Sequence, residues 1–249
     1  MLHLRRIAWV GLLLLAVNIS AAYAQQASLT DEQVGQRLTF ITKALQDGQP
    51  AARRWWYGWM GAYTAGAVAG GVLAASHWHD TKMEGPETVP DREFAEGMLV
   101  GGATFVLGVG SLLIDPFTPA TAARKLGRLP EATPQERLAK LGRAEELLRK
   151  CAAREKRGRS LTTQLLNVGA NAAAAVVVKA GYHQSWGSAA VTFATGEAVS
   201  LLNIYTQPMK AARDLKTYEA GDFAGPSARP AAQWSLGFGP GGLSFSLRF

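Results

Sequence analysis

Thr30-Asp31-Glu32-Gln33 and Thr133-Pro134-Gln135-Glu136 open the two polar helices of this chain, and together they decide its fold. Both are capping boxes. The Thr hydroxyl accepts an otherwise unpaired amide of the first helical turn, and Gln or Glu three residues on reaches back. Pro134 falls at the first helical position, where its missing N–H costs nothing. Leu38 and Leu45 then correspond to Leu141 and Leu148, at an offset of 103.

An apolar helix follows each polar one. Trp55 to Ser76 carries no charge, and its counterpart, Leu161 to Val178, is uncharged and Ala-rich. They end alike, at His77-Trp78-His79 and at Tyr182-His183. A second pair of apolar helices matches best. Thr104-Phe105 answers Thr192-Phe193, Ser111-Leu112-Leu113 answers Ser200-Leu201-Leu202, and Ala122-Ala123-Arg124 answers Ala211-Ala212-Arg213. The offset falls from 104 to 88 between the halves, so the second copy has the shorter middle loop. The first copy's loop, Asp80 to Glu93, is acidic and carries Pro86 and Pro90. The expected fold is mainly α: a polar helix plus an apolar helical hairpin, twice, with copy one over 30–126 and copy two over 133–215.

Small residues mark the helix contacts. Gly58, Ala62, Gly66, Gly70 and Ala74 recur every four residues, and Gly97, Gly101, Gly102, Gly108 and Gly110 give the next helix a similar small-residue character. Such a stripe lets another helix backbone approach closely. Trp55, Trp56, Tyr57 and Trp59 crowd the start of the first apolar helix, as at a lipid–water boundary. Four spans of an inner membrane are disfavoured by charge. The segment Asp115 to Arg159, with 12 Lys/Arg against 6 Asp/Glu, would lie outside the cytoplasm, against the positive-inside rule. Two arrangements remain: a compact periplasmic bundle, or a helical protein in or on the outer membrane.

The first 24 residues read as a cleavable export signal. Arg5 and Arg6 precede an apolar stretch from Ile7 to Ala16, too short to span a bilayer, and Ala22-Tyr23-Ala24 fits the cleavage site. Removing them from the 249-residue chain leaves 24 basic residues against 19 acidic ones, a modest excess. Export removes nucleic acid from the expected partners. Membrane lipid, outer-membrane components and a second copy of the chain remain. Cys151 is the only cysteine, so no internal disulfide forms.

At the other end, a Gly/Pro/Ala-rich linker over 218–233 leads into a period of two. Trp234, Leu236 and Phe238 alternate with small residues, and after Gly239-Pro240-Gly241-Gly242 so do Leu243, Phe245, Leu247 and Phe249. This predicts a β-hairpin over 234–249 with one apolar face. A chain ending in an alternating strand with terminal Phe resembles the closing strand of bacterial outer-membrane β-barrels. The resemblance implies that Phe249 serves as an assembly terminus. It covers about ten residues, and the two strands predicted here fall short of the roughly eight that the smallest single-chain barrels need. Docking of the hairpin on the helices is the other expectation.

Motifs of enzyme chemistry are missing: no G-x-S-x-G elbow, no P-loop, no H-E-x-x-H and no cysteine pair. Gly237 to Gly242 fits G-x-G-x-x-G only formally, since no helix follows. No cofactor is expected. His77, His79 and His183 stand at equivalent helix ends beside Asp80, and a pseudo-twofold bundle would let them converge on a transition metal. Glu197 is an acid in an otherwise apolar stretch: either it pairs with Lys179 or an Arg, or it serves as a functional acid lining a polar path. The basic run Arg154-Glu155-Lys156-Arg157-Gly158-Arg159 suits anionic headgroups or a solvated helix face. These features predict a non-enzymatic structural or membrane-associated envelope protein. A pore-forming or transport-like assembly and a metal-binding protein are the alternatives.

Overall fold

The computed structural model describes residues 29–223 and the backbone of two strands between 233 and 248. The expected export signal, most of the linker, Phe249 and the side chains of the C-terminal hairpin lie outside the described residues.

The described chain is mostly helical. Helix α1 spans Asp31–Ser76. Strands β1 (Thr81–Glu84) and β2 (Glu87–Pro90) follow, then α2 (Glu93–Ile114). A single 3-10 turn at Thr118–Ala120 leads to the short α3 (Ala122–Gly127). Then come α4 (Pro134–Gly158), α5 (Leu161–Val176), α6 (Trp186–Thr206) and α7 (Lys210–Glu219). Strands β3 (Gln233–Gly239) and β4 (Gly242–Arg248) pair antiparallel, in a register that sets Trp234 opposite Leu247 and Leu236 opposite Phe245.

Both capping boxes close as the sequence predicts. Gln33 N donates to Thr30 Oγ1 while Thr30 N donates to Gln33 Oε1, and Thr133 and Glu136 repeat the exchange. Beyond the caps the two halves differ. The first polar helix and the first apolar helix are one continuous rod of 46 residues. At about 1.5 Å per residue that is roughly 69 Å. Pro50 lies inside it and leaves the Gln46 carbonyl without an i+4 donor, a loss that ordinarily kinks or ends a helix. Packing on both sides of the proline holds the rod: Phe40, Ile41 and Leu45 before it, Ala52 and Trp55 after it, are all buried. In the second half the chain does break. α4 stops at Gly158, and Ser160 caps α5 by accepting from Thr163 N at 3.3 Å. α5 then widens into an i→i+5 turn over Val177–Gly181, where Tyr182 N donates to Val177 O.

The acidic loop between α1 and α2 is more ordered than the sequence suggests. It forms the β1–β2 hairpin, with Glu84 opposite Glu87. Its two-residue loop starts at Gly85, which sits at φ +64°, a conformation glycine adopts without a Cβ clash. The prolines mislead here, because Pro90 occupies a strand end where no ladder amide is required.

Two lobes result. In the polar lobe, α1 up to Leu45 packs with α3, α4 and α7 around one core. Val34, Leu38, Ile41 and Leu45 line the buried stripe of α1, and Leu141, Ala144, Leu148 and Cys151 that of α4. Alternating steps of three and four residues keep each stripe on one helix face. Arg137 pairs with Asp31 at 2.7 Å across the two helix starts. The other lobe contains the rest of α1 with α2, α5 and α6. Its large apolar side chains point outward: Val68, Val72, Leu107 and Ile114 from one hairpin, Leu165 and Val191 from the other, are all exposed, Ile114 to 87%. Two helical segments there, Glu93–Ile114 and Leu161–Gly181, are long and apolar enough to cross a membrane.

Candidate functional site

The apolar lobe is built from two helical hairpins, and each uses small or polar residues where its helices meet. In the first, α1 and α2 cross with their backbones almost touching. A Cβ at Gly70 would lie 2.8 Å from Gly102 Cα and 2.8 Å from Met98 O. Gly66 accommodates the Phe105 ring, and Gly108 the Tyr63 ring. The expected stripe is therefore corrected. Gly66 and Gly70 sit at the crossing and Ala74 is buried, but Gly58 meets nothing within 4 Å and Ala62 is exposed. On α2 the contact glycines are Gly102 and Gly108, while Gly97 and Gly101 have open space around them. Two adjacent glycines hide which one faces the partner until the helix phase is known.

In the second hairpin, α5 and α6 are joined by a polar contact at mid-length. Asn171 is buried and donates through Nδ2 to Glu197 Oε1 at 2.7 Å and to Ser200 Oγ at 3.2 Å. Gly196 makes room for it, since a Cβ there would lie 2.4 Å from Asn171 Oδ1. Neither Lys179 nor an arginine reaches Glu197, which corrects that expectation. Lys179 donates instead to Gln184 O and lies over the Trp186 ring. Among the described residues no ion pair involves Glu197, so its partners are neutral.

Between the hairpins runs a cleft of about 1190 Å³. Gly66, Gly101 and Gly108 wall one side, Leu166, Ala170 and Val199 the other. Its two ends have opposite character. At one end Glu93 accepts from Ser188 Oγ, and Gln184 donates to Glu93 O and to Glu96 Oε2. At the other, next to the polar lobe, stand Arg154, Arg157, Asn203 and Gln207. Arg154 Nε lies 3.0 Å and Arg157 Nη1 3.6 Å from Asp115 Oδ2, so one carboxylate faces two guanidiniums. The expected solvated basic run is thus only partly solvated: Arg157 is exposed, whereas Arg154 stacks over Phe117 at 5.6 Å and Glu155 is fully buried.

The aromatic cluster at this level is also rearranged. Trp55 faces inward against Phe117 and donates to Asn203 O at 3.1 Å, and Trp59 donates to Thr206 Oγ1 at 3.0 Å. These two indoles therefore tie α1 to the end of α6. Tyr57 is the exposed aromatic, and Trp56 is half-buried.

Glu155 was not singled out by the sequence, because it sits in a charged run. Its carboxyl accepts from Ala211 N at 3.2 Å and Ala212 N at 2.8 Å, capping the start of α7. Burial outweighs those two hydrogen bonds and pushes its pKa up to about 7. Gln207 closes the same corner, donating to Glu155 O at 2.8 Å, and a Cβ at Gly158 would collide with its side chain. Cys151 lies in the core beside them, and burial pushes its thiol up to about 12.

The histidines are brought together only in part. His77 Nδ1 lies 2.6 Å from Asp80 Oδ2, and the His77 ring stands edge-on to Phe94. Among the described residues no three His, Cys, Asp or Glu side chains are grouped to hold a metal, so His79 and His183 do not complete the set. His183 instead adopts φ +56°, unusual for a residue with a side chain, and lines a smaller polar pocket of about 420 Å³ with Lys82, Asp91 and Glu96. No family model, curated protein or solved structure matches this chain.

Proposed function

We propose that this chain is a non-enzymatic structural protein embedded in the membrane of the bacterial cell envelope, exported by its N-terminal segment. The outward apolar surface of the second lobe carries this reading. Large side chains face out while glycine, alanine, Asn171 and Glu197 face neighbouring helices, the reverse of a water-soluble bundle. Soluble monomers rarely expose apolar patches beyond a few hundred Å². The dimensions agree with a bilayer. Helix α2, Glu93–Ile114, has 22 residues and rises about 33 Å, against a hydrocarbon core of about 30 Å.

An internal duplication accounts for the paired architecture. Leu38 and Leu141, Leu45 and Leu148, Ala122 and Ala211, and Leu126 and Leu215 are equivalent in the sequence match and all buried in the same core. The outer membrane is the location that reconciles an export signal with a basic polar lobe, since the positive-inside rule does not govern it.

A transport-like reading rests on one different observation. Glu197 lies near the midpoint of α6 with only neutral partners, and ionisable residues at such depth mark ion or proton paths in many membrane proteins. Ion flux in liposomes carrying the purified chain tests it, and Glu197→Gln must abolish any flux seen.

The decisive experiment for the main reading is fractionation of the untagged protein with an alkaline carbonate wash. Retention in washed outer membranes is the expected result. Release into the soluble fraction would overturn the reading.

A further inference from the structure

We propose that the cleft between the two hairpins binds one anionic phospholipid, its phosphate at the polar-lobe end and its acyl chains along the glycine wall. The inference rests on the membrane-embedded reading and adds the class of ligand. Three observations carry it.

The first is charge. Arg154 and Arg157 stand at that end with only Asp115 between them, which leaves positive charge uncompensated where a headgroup would lie. The opposite end presents Glu93 and Glu96, so a phosphate is favoured at one end alone.

The second is an unpaired donor. Asn203 Nδ2, which belongs to a cleft-lining residue, is buried without a hydrogen-bond acceptor. Buried donors normally find acceptors, and a phosphodiester is made of acceptors. Asn203, Arg154 and Arg157 all line the cleft, so they are the predicted contacts.

The third is shape. At about 1190 Å³ the cleft exceeds the usual range for drug-sized ligands, roughly 300–1,000 Å³. It runs the length of the apolar lobe, as an acyl chain parallel to the helices requires. Gly101 lines it with nothing within 4 Å of its Cβ direction, so this wall is open.

The test uses the whole exported chain, purified in a mild detergent. It is mixed with phosphatidylglycerol or with phosphatidylcholine of the same acyl chains, gel-filtered, and assayed for phosphorus per chain. About one phosphatidylglycerol per chain should remain, at least about fivefold above phosphatidylcholine. Arg157→Gln, at an exposed side chain, should lower phosphatidylglycerol retention to the phosphatidylcholine level. Gly101→Phe, which fills the cleft, should lower both. Helical circular dichroism establishes that each variant is folded. Equal retention of the two lipids, or retention indifferent to both variants, would overturn the proposal. So would displacement by excess inorganic phosphate, which would make this a phosphate site. A lipid-free dimer by light scattering would make the cleft an interface between copies and overturn it too. Carbonate-resistant insertion into pure phosphatidylcholine vesicles is measured on the same preparation. If insertion persists while selectivity is absent, the lipid site alone fails. If carbonate strips the chain, the membrane reading fails with it.

Discussion

Asn171 Nδ2 donates to Glu197 Oε1 at 2.7 Å, and this contact joins α5 to α6 at the middle of the apolar lobe. The carboxylate has no cationic partner among the described residues, so the carboxamide is its main stabiliser. Asn171→Leu should destabilise the second hairpin by about 1–3 kcal/mol, the usual cost of leaving a buried polar group without its hydrogen-bond partner. Glu197→Gln keeps an acceptor for Asn171 and should cost less. Thermal unfolding in detergent, followed by circular dichroism, measures both. A neutral Asn171→Leu would remove the contact's structural role.

The first hairpin depends on one close approach. Gly70→Ala places a methyl group 2.8 Å from Gly102 Cα and Met98 O, backbone atoms that cannot rotate away. It should cost about 1–3 kcal/mol, the usual range for overpacking. Gly58→Ala belongs to the same four-residue stripe but meets nothing within 4 Å. It should be neutral or stabilise by up to about 1 kcal/mol. The pair of melting curves separates a contact from a mere sequence pattern.

Glu155 predicts a pH dependence of the polar lobe. Its pKa in the folded chain is about 7, against an ordinary 4.5. Between those values the unfolded chain has released the proton and the folded chain still holds it, so stability falls as pH rises from about 4.5 to 7. Asp214, raised in the same direction by burial, adds to the trend. The contribution from Glu155 is on the order of 3 kcal/mol. Glu155→Gln removes the titrating group and should flatten the profile over this window. Denaturant midpoints across that pH range read it directly, and an unchanged slope in the variant would refute the assignment.

Cys151 is fully buried, and its thiol is pushed up to about 12 by burial and by neighbouring Glu155. Only the thiolate reacts quickly with maleimides. Labelling of the native chain near neutral pH should therefore be slow and limited by opening of the polar lobe. Labelling in denaturant should be complete within minutes. Rapid native labelling would show that the core around α4 opens far more readily than its packing implies.

Several parts of this protein are legible in its residues because the chemistry is local. A Thr hydroxyl and a Gln or Glu three residues on can meet only around a helix start, so Thr30 and Thr133 mark their helices without tertiary help. The stripe Leu38, Ile41, Leu45 repeats at helical spacing, and so does Leu141, Ala144, Leu148; each burial face follows from the period. Three-dimensional packing decides the rest. Whether Pro50 ends a helix depends on the cores on either side of it, and here they carry α1 through. Whether Gly101 or Gly102 touches the other helix depends on rotation about the helix axis, which two adjacent glycines cannot reveal. Trp55 turns inward because Phe117 and the Asn203 carbonyl wait for it, 62 and 148 residues away. Glu155 is a helix cap rather than a surface charge because α7 brings two backbone amides to it from a distant part of the chain. Sequence thus set the capped helix starts and the buried faces of the polar helices, since those arise from neighbours a few residues apart. Only the tertiary structure set the cleft, its basic end and the Asn171–Glu197 contact, since each joins elements that one-dimensional spacing does not relate.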